Sequence, residues 1–150
     1  MAEICRSALL PYPAEQVYEL INDVAAYPQY MDGCVGAEVL QQDSDFMEAR
    51  LDLAKAGLKY SLTTRNRLQA PRNQAQGTVE MTLINGPFED FNGLWAIQPL
   101  GDAACKVDIV LRFTMANKLF GAAAKLLFNP MADNLVDALV RRAHHLYQSQ

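Results

Sequence analysis

Cys105-Lys106-Val107-Asp108-Ile109-Val110-Leu111-Arg112-Phe113 alternates two kinds of side chain, and a few residues later the period of the sequence changes. Val107, Ile109, Leu111 and Phe113 fall on one face, and Lys106, Asp108, Val110 and Arg112 on the other. That is the pattern of a strand with one buried side. From about Asn117 to Gln148, Leu119, Phe120, Ala123, Leu127, Met131, Leu135, Leu139, Ala143 and Leu146 recur every three or four residues. This stripe predicts a long amphipathic helix. Asn117 is placed to cap its start. Pro130 predicts a kink or break near 127–129, since proline lacks the donor and crowds the preceding turn.

Upstream the period stays at two. Phe91, Gly93, Trp95 and Ile97 share a face; Val79, Met81 and Leu83 oppose Thr78, Glu80 and Thr82. Leu58, Tyr60, Leu62 and Thr64 oppose Lys59, Ser61, Thr63 and Arg65. Ala49, Leu51 and Leu53 oppose Glu48, Arg50 and Asp52, and Val35, Ala37 and Val39 oppose Gly36, Glu38 and Leu40. Turn signals separate these runs: Asp32-Gly33, Asp43-Ser44-Asp45, Ala56-Gly57, Pro71-Arg72-Asn73, Asn85-Gly86-Pro87 and Pro99 to Asp102. Residues 3–10 read as a first strand. Pro13, tolerated at the first helical position, opens a short helix from Ala14 to Ile21. A second short helix, Val24 to Tyr27, is expected to stop at Pro28. The predicted class is α+β: an antiparallel sheet of about six to seven strands, solvated on one side, wrapped on one long C-terminal helix.

The 150 residues, 51% of them hydrophobic and 20% charged, suit a single globular domain spanning 1–150. The longest stretch free of charge is Phe91 to Gly101, 11 residues, against about 20 for a bilayer-spanning helix. Met1 to Arg6 has no basic region followed by an apolar one, so no secretory signal is expected. Cys5, Cys34 and Cys105 are far apart and odd in number, which fits reduced, small buried residues of a cytosolic protein and not a disulfide frame or a metal site. The net charge of −4 is unevenly spread: residues 1–49 carry −8, residues 50–72 carry +5 and residues 73–150 carry −1. The total argues against a general nucleic-acid binder, DNA included, while the basic island keeps a local anionic contact open.

One helix does not fill the concavity of a strongly bent sheet, so a cavity between them is expected. Its walls would be Leu53, Tyr60, Leu62, Thr64, Met81, Leu83, Trp95, Ile109, Leu111 and Phe113 from strands, with Phe120, Ala124, Leu127 and Met131 from the helix. The same residue types also make an ordinary core. Arg50, Lys59, Arg65 and Arg67 fall on the opposite, outward face, with Lys55 near the Gly57 turn, and form a candidate contact for RNA phosphates. The competing reading is a solvated face balanced by Glu48, Asp52 and Glu80. Aromatic residues are not expected among the outward positions, which argues against base stacking.

Catalysis finds little support. The inward faces are apolar except for Tyr60 and Thr64, and the familiar nucleophile, zinc and phosphate-loop motifs are missing. His144 and His145, adjacent on a helix, point about 100° apart and do not suit one metal, so no metal or other cofactor is expected.

Several strings, in this order and spacing, resemble the coenzyme Q-binding family of the START-like, helix-grip superfamily. They are Asn22-Asp23-Val24 with Tyr27-Pro28, Gly33-Cys34, Leu62-Thr63-Thr64-Arg65-Asn66, Asn85-Gly86-Pro87-Phe88 with Trp95, Cys105 to Phe113, and Arg142-Ala143 with Tyr147. Pro13, Met31-Asp32 and Pro130 depart from the family pattern. The resemblance implies a hydrophobic-ligand cavity whose leading guest is a polyisoprenoid quinone (ubiquinone), entered past a mouth formed by Tyr27, Tyr30 and Met31. For some bacterial members it implies binding to the large ribosomal subunit that blocks subunit joining. A cyclase-like enzyme ranks last. The expected location is the cytoplasm, with transient contact at the inner membrane where a quinone would be collected.

Overall fold

Strand pairing follows the period-two segments. In the computed structural model, which describes residues 2–55, 57–115, 130 and 132–148, seven antiparallel strands form one sheet in the order β1-β7-β6-β5-β4-β3-β2. They are β1 (Ala2–Leu10), β2 (Cys34–Gln42), β3 (Phe46–Lys55), β4 (Leu58–Gln69), β5 (Gly77–Asn85), β6 (Phe88–Pro99) and β7 (Cys105–Met115). After β1 the chain crosses to the far edge through α1 (Ala14–Asn22) and a 3-10 helix (Val24–Gln29). From β2 it meanders back, strand by strand, until β7 lies against β1. Register shifts at Cys34/Gly36, Val39/Gln41, Thr63/Thr64 and Phe88/Asp90 bend the strands, as bulges do, so the sheet curves.

The apolar faces read from the sequence point inward. Val107, Ile109, Leu111 and Phe113 are all buried, as are Phe91, Trp95 and Ile97 across the β6–β7 ladder. The described C-terminal helix, α2 (Leu135–Tyr147), buries Val136, Leu139 and Ala143, a stripe at helical spacing, and contacts β1 and α1. Leu139 is fully buried, worth about 1.5–3 kcal/mol of transfer free energy. Pro130 is itself helical, and its carbonyl accepts from the backbone N–H and the side-chain amide of Asn134 at 3.1 and 2.8 Å. The expected break near 127–129 lies outside the described residues.

Three details differ from expectation. The 3-10 helix does not stop before Pro28 but carries it inside. The Tyr27 carbonyl accepts from Tyr30 and Met31 at 3.1 and 2.9 Å, so the turn closes without an N–H from Pro28. Pro13 sits at the N-cap of α1, not its first helical position, and its carbonyl accepts from Gln16 and Val17 at 3.1 and 3.2 Å. Val35 was placed inward with Ala37 and Val39 but is 63% exposed. The bulge between Cys34 and Gly36 shifts the alternation by one residue there.

Candidate functional site

The concave face of the sheet brings residues from seven elements around one small space. Leu51, Leu62, Thr64, Met81, Phe91, Trp95 and Leu111 come from β3 to β7, Tyr27 from the 3-10 helix and Leu135 from α2. They enclose a mostly apolar cavity of about 70 Å³. Liquid water occupies about 30 Å³ per molecule, so two waters would fill it, whereas pockets for drug-sized ligands run to about 300–1,000 Å³. Leu51, Met81 and Leu135 are only partly buried, so the wall has side chains with freedom to move.

Of the residues predicted to line a cavity, Leu62, Thr64, Met81, Trp95 and Leu111 do so, together with Tyr27 of the predicted mouth. Leu53 and Ile109 are packed in the core, each 1% exposed. Tyr60 and Phe113 join an aromatic cluster around Phe88, at ring distances of 6.5 and 5.9 Å. Leu83 packs against the core beside Gly86. Phe120, Ala124, Leu127 and Met131 lie outside the described residues. Leu51, Phe91 and Leu135 were missed as cavity residues, although each lies on a face the period had already marked as inward.

Polar groups on this face are few and specific. Thr64 Oγ1 donates to Asn66 Oδ1 at 2.8 Å, and both residues are buried. Asn66 was missed, but it follows Thr64 by two on β4 and so shares its face. The Tyr60 hydroxyl is buried with no hydrogen-bond partner among the described residues, and burial raises its pKa. A phenol shifted upward is a poorer general base, so it suits hydrogen-bond donation better than proton abstraction. Of the three residues expected at a mouth, only Tyr27 lines the cavity; its hydroxyl donates to the carbonyl of Ile21, and burial holds its pKa well above the ordinary value. Met31 is buried beneath it. Tyr30 meets the Tyr27 ring edge-on at 5.9 Å.

The outward face of β2, β3 and β4 carries the basic residues, but most are engaged. Arg50 is held between Glu38, its cross-strand partner, at 3.1 Å and Asp52 at 3.2 Å. Arg65 lies 3.9 Å from Glu48. Lys59 and Arg67 are exposed and make no ion pair among the described residues; the Lys55 side chain is not described. Arg50, Lys59, Arg65 and Arg67 share this face with Glu38, Glu48, Asp52 and Glu80, so its formal charge cancels. The expectation of no outward aromatic is corrected: Phe46, 37% exposed, lies under the Arg65 guanidinium at 4.5 Å. Its even number in β3 places it with Glu48 and Arg50. Among the described residues no cluster of three His, Cys, Asp or Glu side chains suits a metal, and no helix is long and apolar enough to cross a membrane.

A seven-stranded curved sheet with helices on its concave side and a small apolar cavity between them is the helix-grip arrangement of START-like proteins. The chain belongs to the polyketide cyclase / dehydrase and lipid transport family, whose model matches residues 10–140. It is 40% identical over 150 residues to the ribosome association toxin RatA of Escherichia coli, covering all of this chain and 92% of that one. It is 41% identical over 144 residues to RatA of Pseudomonas aeruginosa, covering 96% of each. Among solved structures, the Zhui aromatase/cyclase of a Streptomyces species superposes with a TM-score of 0.77 at 15% identity, covering 95% of this chain and 93% of that one. A START superfamily protein from Mycobacterium smegmatis gives 0.73 at 21%, covering 96% and 98%. At these identities the structural likenesses establish the fold alone.

Proposed function

We propose that this protein associates with the large ribosomal subunit in the cytoplasm and hinders subunit joining, without catalysing a reaction. The observation that carries this reading is its similarity, over the full chain, to proteins named ribosome association toxins. The outward sheet face is the candidate contact. Lys59 and Arg67 are its exposed bases without an ion pair among the described residues, and the Arg65–Phe46 stack offers a flat surface on the same face. The test is a joining assay with purified subunits, followed by light scattering. Added protein should lower the yield of joined ribosomes, and Lys59→Glu with Arg67→Glu should relieve that effect. Unchanged joining in the presence of the wild type would defeat the proposal.

A second reading is carried by the apolar cavity. The fold family includes lipid transport in its description, and the cavity is lined by apolar groups with few polar ones. We propose that it accepts a hydrophobic guest, a polyisoprenoid quinone being the first candidate, collected by transient contact with the inner membrane. The resemblance put the quinone first; the full-length relatives put ribosome association ahead of it. At about 70 Å³ the cavity must widen to take a quinone ring, and Met81 and Leu135 are the partly buried side chains placed to give way. Each methylene buried contributes about 0.8 kcal/mol, so a prenyl tail supplies affinity without polar contacts. Mass spectrometry of lipids extracted from the natively purified protein tests this; an empty protein that also gains no thermal protection from added quinone would refute it. The two readings use opposite faces of one sheet and are compatible.

A further inference from the structure

Arg142 and Tyr30 meet across the seam between α2 and the 3-10 helix. The guanidinium carbon lies 5.3 Å from the Tyr30 ring centroid, and Nη2 donates to Gln29 Oε1 at 3.3 Å. Two donors are left over. The Nε–H of Arg142 and the hydroxyl of Tyr30 are both buried, and neither has a hydrogen-bond partner among the described residues. A buried donor without an acceptor is destabilising, and more so when it belongs to a charged group. Two such donors on side chains already in contact define a place that an acceptor would satisfy.

The seam adjoins the cavity from two directions. Tyr30 packs against Tyr27, whose ring is part of the cavity wall. On α2, Leu135 is also in the wall, and Arg142 lies seven residues on, nearly two turns, on the same side of the helix. The rise of 1.5 Å per residue separates them by about 10 Å. Tyr30 and Arg142 are not in the cavity wall itself, and a guest extending from the cavity along α2 would have to span that distance to reach them.

We propose that Tyr30 and Arg142 form the polar end of the ligand site, holding a carbonyl or carboxylate oxygen of an amphipathic guest. This rests on the hydrophobic-guest reading above and adds the head-group chemistry to it. An N–H and an O–H on two touching side chains suit an oxygen with two lone pairs, and they offer little to a protonated amine or a bare hydrocarbon. The guanidinium adds charge assistance when that oxygen is anionic. Burial raises the Tyr30 pKa, which keeps the phenol protonated as a donor at neutral pH. The alternative is a latch in which Arg142 merely clamps the 3-10 helix to α2.

Fluorescence titration of the full chain with two probes separates these. cis-Parinaric acid has an apolar chain with a carboxylate; diphenylhexatriene is a hydrocarbon of similar bulk. Tyr30→Phe keeps the ring and its packing and removes the hydroxyl, so it carries the test even where Arg142→Met impairs folding. The expected result is an affinity for cis-parinaric acid weakened about tenfold or more by either variant, with diphenylhexatriene binding unchanged. Equal losses for both probes, or no loss for the acid, would overturn the head-group anchor while the cavity reading stands. Failure of both probes to bind the folded wild type would overturn the cavity reading and the anchor with it.

Discussion

Gly93 lacks a side chain where two cavity-wall residues need the space. A Cβ there would lie 2.5 Å from Met81 Cε and 2.7 Å from Leu111 Cδ2. Gly93→Ala is expected to destabilise the fold by about 1–3 kcal/mol in urea melts and to weaken binding of any hydrophobic guest. Asp43 shows a different control. Its Oδ1 accepts from the N–H groups of Asp45 and Phe46 at 2.8 Å each, which holds its carboxyl below the usual value. The folded turn thus favours the charged form. Its contribution is complete above the ordinary Asp pKa of about 3.9 and is lost as pH falls through the lowered folded value. Hydrogen exchange at Asp45 and Phe46 should lose protection in that acid window, and Asp43→Asn, which keeps the acceptor, should remove the pH dependence. The thiols also differ: Cys34 and Cys105 are buried, and burial pushes Cys105 up to about 11, whereas Cys5 is exposed. A thiol reagent on the native protein should label Cys5 and reach the other two on denaturation. Among these features the free thiols were legible in the sequence, and the expected burial holds for Cys34 and Cys105 but not for Cys5, which lies exposed on the edge strand β1. The crowding at Gly93 was not, because it depends on which side chains the β5–β6–β7 register places around it.

Elements were legible wherever a period persisted. β3, β4 and β7 follow the alternation throughout, β5 follows it to Leu83 and β6 from Phe91 on, because each strand has one buried and one solvated face and a slip of one would invert them. Legibility failed where backbone geometry breaks the period. The Cys34/Gly36 bulge turns Val35 outward, and the 3-10 helix passes through Pro28 because its shorter hydrogen bonds close around the proline. α2 was legible as a stripe, and Leu139 is its most buried large residue. Leu139→Ala should cost about 2–5 kcal/mol in thermal or chemical melts. A cost under about 1 kcal/mol would mean that α2 contributes little to the core.

At the scale of the molecule, the sequence carried charge in blocks, but only pairing shows how much of it is available. Arg50 and Arg65 belong to the basic island of the sequence, yet carboxylates on β2 and β3 engage both. Such exposed pairs are individually worth about 0–1 kcal/mol, so an RNA phosphate can displace them, but at a cost. Cavity volume was likewise out of reach, because core and pocket use the same residue types and the difference lies in a few ångströms of sheet curvature. The proposed ribosome association predicts that the purified protein cosediments with isolated large subunits. The protein should travel with the large subunit. With Lys59 and Arg67 neutralising phosphates, its affinity should fall about tenfold between 50 and 200 mM salt. A protein that stays at the top of the gradient at low salt would contradict the account.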